Sequence, residues 1–279
     1  MLTTRAKLTI AGRLYQVVRT ARRLVGRPGS EVICRRRGVR WALDISEGVQ
    51  LGIYLGTYEA GAGRLLRHLV SPGSVVVDIG ANVGAHALPL AAAVGPSGRV
   101  VAVEPSRAAF DRLRGNVALN PGLADRVTAV HAALGAPGGI VEERYFSGWP
   151  LTPGGERHPV HGGVGAPAGG AAFMTLDGLA ASLGLDAIDL VKLDVDGHEL
   201  PIVAGATAVV ERLRPTVVFE FCPYLIEERG EAPESLPGFF TSRGYDLLDD
   251  HLRPVGDLRR LVASVPHGAG INLVARPRR

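Results

Sequence analysis

The chain has 279 residues, 46% of them hydrophobic, and a formal net charge of +4, which is enough for one large domain with an extension. No uninterrupted apolar run reaches the roughly 18 residues of a membrane span, and arginines interrupt every early apolar stretch that could form a signal-peptide core. The two cysteines, Cys34 and Cys222, are far apart and lack metal spacing, so a reduced, cytoplasmic chain is expected. Charge is unevenly placed. Residues 1–40 hold eleven arginines and lysines against one acid, Glu31, a net +10 that leaves the other 239 residues at −6. The basic character belongs to an arm, and no nucleic-acid footprint across the whole protein is expected.

Three segments follow from composition and pattern: a basic amphipathic helix within 1–30, a cap over 31–73, and a main domain over 74–279. Residues 6–26 place Leu14, Val17, Val18, Ala21, Leu24 and Val25 at helical spacing, with Arg13, Arg19, Arg22 and Arg23 largely off the stripe. Such a helix either docks its stripe on the domain or lies on an anionic membrane surface or acidic partner. Residues 31–45 alternate loosely and predict a hairpin or short strands. A short helix over 63–69 precedes the turn Ser71-Pro72-Gly73.

The stretch Val75–His86 organises the rest. It runs from a β-branched strand through Asp78, Gly80 and Gly84 into an Ala/Leu-rich helix. Glycines let the backbone approach a ligand, and the helix start offers free N–H groups. The spacing departs from the dinucleotide fingerprint: a carboxylate stands where the first glycine would be, and the third glycine is out of register. An anionic side chain there repels pyrophosphate and suits a cationic, phosphate-free ligand, S-adenosylmethionine (SAM). A dehydrogenase is correspondingly disfavoured.

Further strands are predicted at 99–103, 127–130, 188–194, 215–221, 245–248 and 270–275, with helices at 108–119, 176–183, 200–212 and 237–243. The alternation implies an α/β fold, a seven-stranded, mostly parallel sheet with helices on both faces. A ligand then sits at the carboxyl ends of its strands. Residues 148–170 contain 12 Gly or Pro in 23 and read as an irregular loop carrying Trp149, His158 and His161.

Asp78, Glu104, Asp194 and Glu220 all fall at strand ends and would line one cleft, so something cationic must answer them. Asp78 and Asp194 can hold the cofactor's ammonium end. Glu104, 20 residues after Gly84, suits the ribose, and His131–Gly135 should run beside the adenine. Lys192 shares a strand face with Asp194 and can neutralise the cluster. Asp194, Asp196 and His198 are the candidate bases for a substrate hydroxyl, with Glu199 and Glu220 supporting. Hard carboxylates could take Mg²⁺, but no compact metal signature exists and none is assigned.

These motifs together resemble the FkbM-type methyltransferase family. Val77–Gly84 is similar to its first motif, Val103-Glu104-Pro105 with Asn116–Asn120 to its second, Thr175–Asp177 with Asp189–Glu199 to its later block, and Val218–Glu220 to its fifth strand. Tyr58-Glu59 resembles the aromatic–acid pair preceding the core. The resemblance spans roughly 40–275 and implies the Rossmann-like class I methyltransferase fold. It also implies SAM held by Glu59, Asp78, Gly80, Asn82, Gly84, Glu104 and Asp194, and O-methylation of a small-molecule hydroxyl. Methylation of nitrogen or carbon, or a non-catalytic SAM-binding scaffold, are the other readings. Asp196 stands where the family more often has glutamate, and 148–170 looks like an insertion.

Overall fold

The computed structural model describes residues 3–152 and 156–278. A helix α1 (Thr4–Leu24), capped by the Thr3 hydroxyl, leads into an antiparallel hairpin, β1 (Glu31–Arg36) and β2 (Val39–Asp44). Two helices, α2 (Gly48–Leu55) and α3 (Ala60–His68), then reach the first core strand.

The core alternates as the sequence predicts. In order come β3 (Val75–Ile79), α4 (Ala87–Ala93), β4 (Arg99–Glu104), α5 (Arg107–Ala118), the single turn α6 (Pro121–Ala124) and β5 (Val127–Leu134). A second hairpin, β6 (Arg144–Gly148) and β7 (Val164–Pro167), stands apart from the main sheet. Next are β8 (Ala172–Met174), α7 (Leu176–Ser182), β9 (Leu190–Leu193), α8 (Glu199–Ala204) and β10 (Thr216–Phe221). The chain closes with α9 (Pro223–Glu228), α10 (Ser235–Thr241), β11 (Tyr245–Leu248), α11 (Leu258–Ser264) and β12 (Ile271–Pro277). The main sheet runs β11-β12-β10-β9-β3-β4-β5-β8; β12 runs antiparallel to β10 and β11, and the other neighbours pair in parallel among the described residues. The central strands β3, β4 and β9 are apolar runs buried on both faces, as a parallel sheet between helices requires.

Three expectations are corrected. Among the described residues the sheet has eight strands, because the short β8 adds parallel to the end of β5 at the edge. The helix expected over 200–212 stops at Gly205 and resumes as a wide turn, Val209–Leu213. Asp177 explains the break: its carboxylate accepts from Ala208 N and Val209 N, fixing the chain where the helix would have continued. Finally, the Gly/Pro-rich stretch 148–170 does form regular structure, strand β7. Its start is anchored too: Trp149 N donates to Glu47, and Gly48 N donates to Trp149 O. Residues 153–155 of that stretch lie outside the described residues.

Asn116 and Asn120 join the hairpin to the core. Asn116, fully buried, accepts from Ala42 N and donates to Val83 O, while Asn120 accepts from Arg40 N and donates to Arg40 O. These amides satisfy the free edge of β2 in place of a third strand.

Candidate active site

A cavity of about 450 Å³ opens at the carboxyl ends of the central strands, within the range of small-molecule sites. Its floor is the β3–α4 turn. Gly80 has φ +79°, and a Cβ there would come within 1.9 Å of Asp194 O, so only glycine lets β9 pass this close. Gly84, at φ +92°, packs beneath Leu113 and Leu88 and does not reach the cavity.

Glu104 ends β4 and is buried. Its carboxylate accepts from Asn82 N at 2.9 Å and from Ser106 N and Oγ at 2.9 and 2.7 Å. Burial pushes its pKa up, and these three donors oppose the rise. Ala132, Ala133 and Leu134 at the end of β5 form the adjoining wall. His131 itself turns aside, bonding Pro105 O and stacking on Phe110 with ring centroids 4.7 Å apart.

On the other side the acids gather. Lys192 Nζ lies 3.0 Å from Asp194 Oδ2 and 3.4 Å from Asp78 Oδ1, and is almost wholly buried. Burial alone would lower the ammonium pKa, but Asp194 and Asp78 outweigh it and hold the pKa above its usual value. Burial likewise opposes ionisation of Asp194, and the Lys192 charge reverses the balance, keeping its pKa below normal. Asp196 and Glu220 go the other way: burial, then repulsion from Asp194, raises both well above the ordinary carboxylate range. Lys192 is the cation that answers two of the carboxylates the sequence places here, Asp78 and Asp194.

Eight of the sequence-predicted residues line the cavity: Glu59, Gly80, Asn82, Glu104, Asp194, Asp196, His198 and Glu220. Asp78, Gly84, Lys192 and Glu199 lie outside the lining. Asp78 is fully buried beneath the turn, facing Lys192. The carboxylate of Glu199 accepts from Val195 N and Gly197 N, fixing the loop after β9; burial raises its pKa to about 7. His198 lines the wall, but Arg229 Nη2 donates to its Nε2 at 2.6 Å, and Glu142 Oε1 lies 2.9 Å from the same nitrogen. Burial, then the Arg229 charge, lowers its pKa. Glu59 pairs with His86 Nε2 at 2.8 Å.

Glu59, Asn82 and Asp196 have positive φ (34°, 49° and 50°), half of the six non-glycine residues so placed among those described. Such conformations cost of order 1–3 kcal/mol each and cluster where function fixes the backbone. Among the described residues no group of three or more His, Cys, Asp or Glu side chains could hold a metal ion.

The sequence placed a cap over 31–73 and a loop over 148–170 but assigned to the site none of the residues that roof the cavity apart from Glu59. Thr4, Lys7, Leu8 and Ala11 of α1, Gly48 and Val49 of α2, and Tyr145, Phe146 and Trp149 all line the cavity. The aromatics left a signal: three fall within five residues in a chain that is 5% aromatic.

The Methyltransferase FkbM domain matches residues 78–247. The chain is 27% identical over 200 residues to methyltransferase sdnD of Sordaria araneosa, covering 63% of this chain and 74% of that protein. It is 29% identical over 157 residues to the hexuronic acid methyltransferase AglP of Haloferax volcanii, covering 56% of this chain and 59% of AglP. The crystal structure of an FkbM methyltransferase from Methylobacillus flagellatus aligns with a TM-score of 0.45 at 17% identity, over 74% of this chain and 44% of that one. With more than half of its residues matched by the domain, the chain belongs to the FkbM methyltransferase family.

Proposed function

We propose that the chain is an O-methyltransferase that uses SAM to methylate a hydroxyl of a sugar or sugar-like small molecule. The observation that carries this reading is the acid cluster. Lys192 holds Asp194 ionised while Asp196, next to it on the cavity wall, has a raised pKa.

The donor set suits the cofactor. Five carboxylates line the cavity, a surface that favours a cationic, phosphate-free ligand. Glu59 and Asp194 would hold its ammonium group, Asn82 and Glu104 its ribose, and Ala132–Leu134 its base. When bound, SAM supplies an already activated methyl group.

The rest falls to this chain's own residues. Tyr58, Tyr145, Phe146 and Trp149 offer apolar faces to the acceptor and exclude water. Asp196 takes the proton of the acceptor hydroxyl on its carboxylate, and its raised pKa brings it closer to the working pH of a general base. Asp194, its pKa lowered by Lys192, orients the acceptor. His198 is held by Arg229 and Glu142 and positions the loop. The name of AglP, a hexuronic acid methyltransferase, makes uronic acids the first acceptors to screen.

The test is methyl transfer to a panel of uronic acids, neutral sugars and polyhydroxylated metabolites, run with thermal unfolding in S-adenosylhomocysteine. At about 100 times its dissociation constant that product adds roughly 2.7 kcal/mol of stability. Activity should rise with pH through an apparent pKa above the ordinary aspartate value of about 3.9. Asp196→Asn should lower kcat by about 10²–10⁴ and leave the thermal shift intact. Full kcat in that variant removes Asp196 as the base; no thermal shift in the parent removes the cofactor assignment.

A further inference from the structure

The apolar stripe along α1 is not the face that docks. The helix packs through Leu8, Ala11, Tyr15 and Val18, with Tyr15 buried among Val32, Trp41 and their neighbours. Round the helix from these, Ile10, Leu14, Val17, Leu24 and Val25 are 47, 45, 66, 83 and 70% exposed. At 3.6 residues per turn they fall within an arc of about 100°. Eight large hydrophobic residues are exposed among those described, and five of them belong to this helix and its C-cap.

Charge says what covers the stripe. Its two edges carry Lys7 and Arg13, and the helix contains no acid. A second copy packed stripe to stripe would set cationic helices against each other with nothing to neutralise them. An anionic surface complements both features, and it repels the rest of the chain, which is −6 beyond residue 40. A cationic helix with a separate apolar face is the form of an interfacial membrane helix.

We propose that α1 lies in the headgroup region of an anionic lipid bilayer, its apolar stripe inward and Lys7 and Arg13 at the phosphates. The first two turns of the same helix wall the cavity through Thr4, Lys7, Leu8 and Ala11. Docking therefore sets this wall of the cavity beside the lipid surface, within reach of an amphiphilic acceptor held there. That consequence rests on the methyl-transfer reading; the docking itself does not.

The test is co-sedimentation of the full chain with phosphatidylcholine vesicles, with and without phosphatidylglycerol, beside Val17→Asp/Leu24→Asp and Arg13→Gln. Each protein is also melted with and without S-adenosylhomocysteine, which reports on the cofactor site separately from lipid binding. The parent should sediment with phosphatidylglycerol vesicles alone, and less as salt rises. The apolar double variant should stay in the supernatant with its melting point and ligand shift unchanged, and Arg13→Gln should partition roughly fivefold less, about 1 kcal/mol. Failure of the parent to sediment at low salt would overturn the proposal. So would a stable dimer that the double variant dissolves, since a second copy would then cover the stripe.

Discussion

Replacing Lys192 by methionine isolates the electrostatics of the site, because the side chain is nearly isosteric and the ammonium is buried. Asp78 is fully buried, neither of its oxygens has a hydrogen-bond partner, and Lys192 is its one ion-pair partner among the described residues. Removing one member of such a pair leaves an uncompensated buried charge and costs about 3–5 kcal/mol. At 2–4 °C per kcal/mol for a domain of this size, the melting point should fall by about 6–20 °C. The pH dependence follows from the shifts. In the parent, Asp194 has a depressed pKa, so its contribution is present above the unfolded value of about 3.9 and lost as pH falls through the folded value. In the variant Asp194 loses the cation that lowers its pKa, and burial then raises its folded value above the unfolded one, so the folded state takes up a proton and gains stability as pH falls. The gap between parent and variant should therefore be widest near pH 7 and narrow toward about pH 5. Urea denaturation at both pH values measures it, and Lys192→Met/Asp78→Asn should recover much of the loss, since the orphaned charge is gone. A Lys192→Met protein within about 1 kcal/mol of the parent at pH 7 would refute the reasoning, because the pair would then carry no desolvated charge.

Gly80→Ala puts a Cβ within 1.9 Å of Asp194 O at φ +79°, and backbone on both sides leaves nothing to yield; denaturation should show a loss above about 4 kcal/mol or no folded protein. Asn116→Ala strips Ala42 N and Val83 O of their partners, so urea denaturation should show a loss of about 2–5 kcal/mol, with hydrogen exchange rising first in the β1–β2 hairpin. Arg229→Ala removes a cation that depresses the His198 pKa while keeping Glu142, which raises it; an NMR titration should find the imidazole pKa moved upward.

The architecture was legible because each central strand is a short β-branched run closed by an acid or a glycine, and strand–helix alternation leaves few topologies. Glu104, Asp194 and Glu220 were readable for the same reason, since a parallel sheet brings its carboxyl ends to one edge. Asp78 shares the strand end as expected and faces Lys192 beneath the turn, and periodicity alone does not separate those two faces of a central strand. The roof was illegible because it is assembled from distant segments. Trp149 reaches the cavity only because Glu47 and Gly48 strap its backbone to α2, a contact that no local pattern encodes. Glycine and proline content made 148–170 look structureless, whereas β7 forms there by pairing with β6, all of which but Gly148 precedes that window. Of the two readings open for the stripe of α1, docking on the domain does not hold for most of it: the docked side is made of Leu8, Tyr15 and Val18, while Leu14, Val17, Leu24 and Val25 face solvent, and apolar count alone does not say which of two neighbouring faces packs.

The same geometry ties the strained residues to the chemistry. Glu59, Asn82 and Asp196 each hold a positive φ at the cavity wall, and each is fixed by a different element: Glu59 by His86, Asn82 by Glu104, and Asp196 by the loop that Glu199 anchors through Val195 N and Gly197 N. A chain free to relax would leave all three conformations. Lys192 lowers the pKa of Asp194, Asp194 raises those of Asp196 and Glu220, and the rigid turns keep these groups from moving apart to relieve the repulsion. The acidic wall is therefore pre-set for a cation before any ligand arrives, which is the condition for electrostatic preorganisation. Loosening the loop, for instance through Glu199→Ala, should let Asp196 drift and its pKa fall, so the acid limb of the pH–rate profile would shift downward even though no group facing the cavity had been changed.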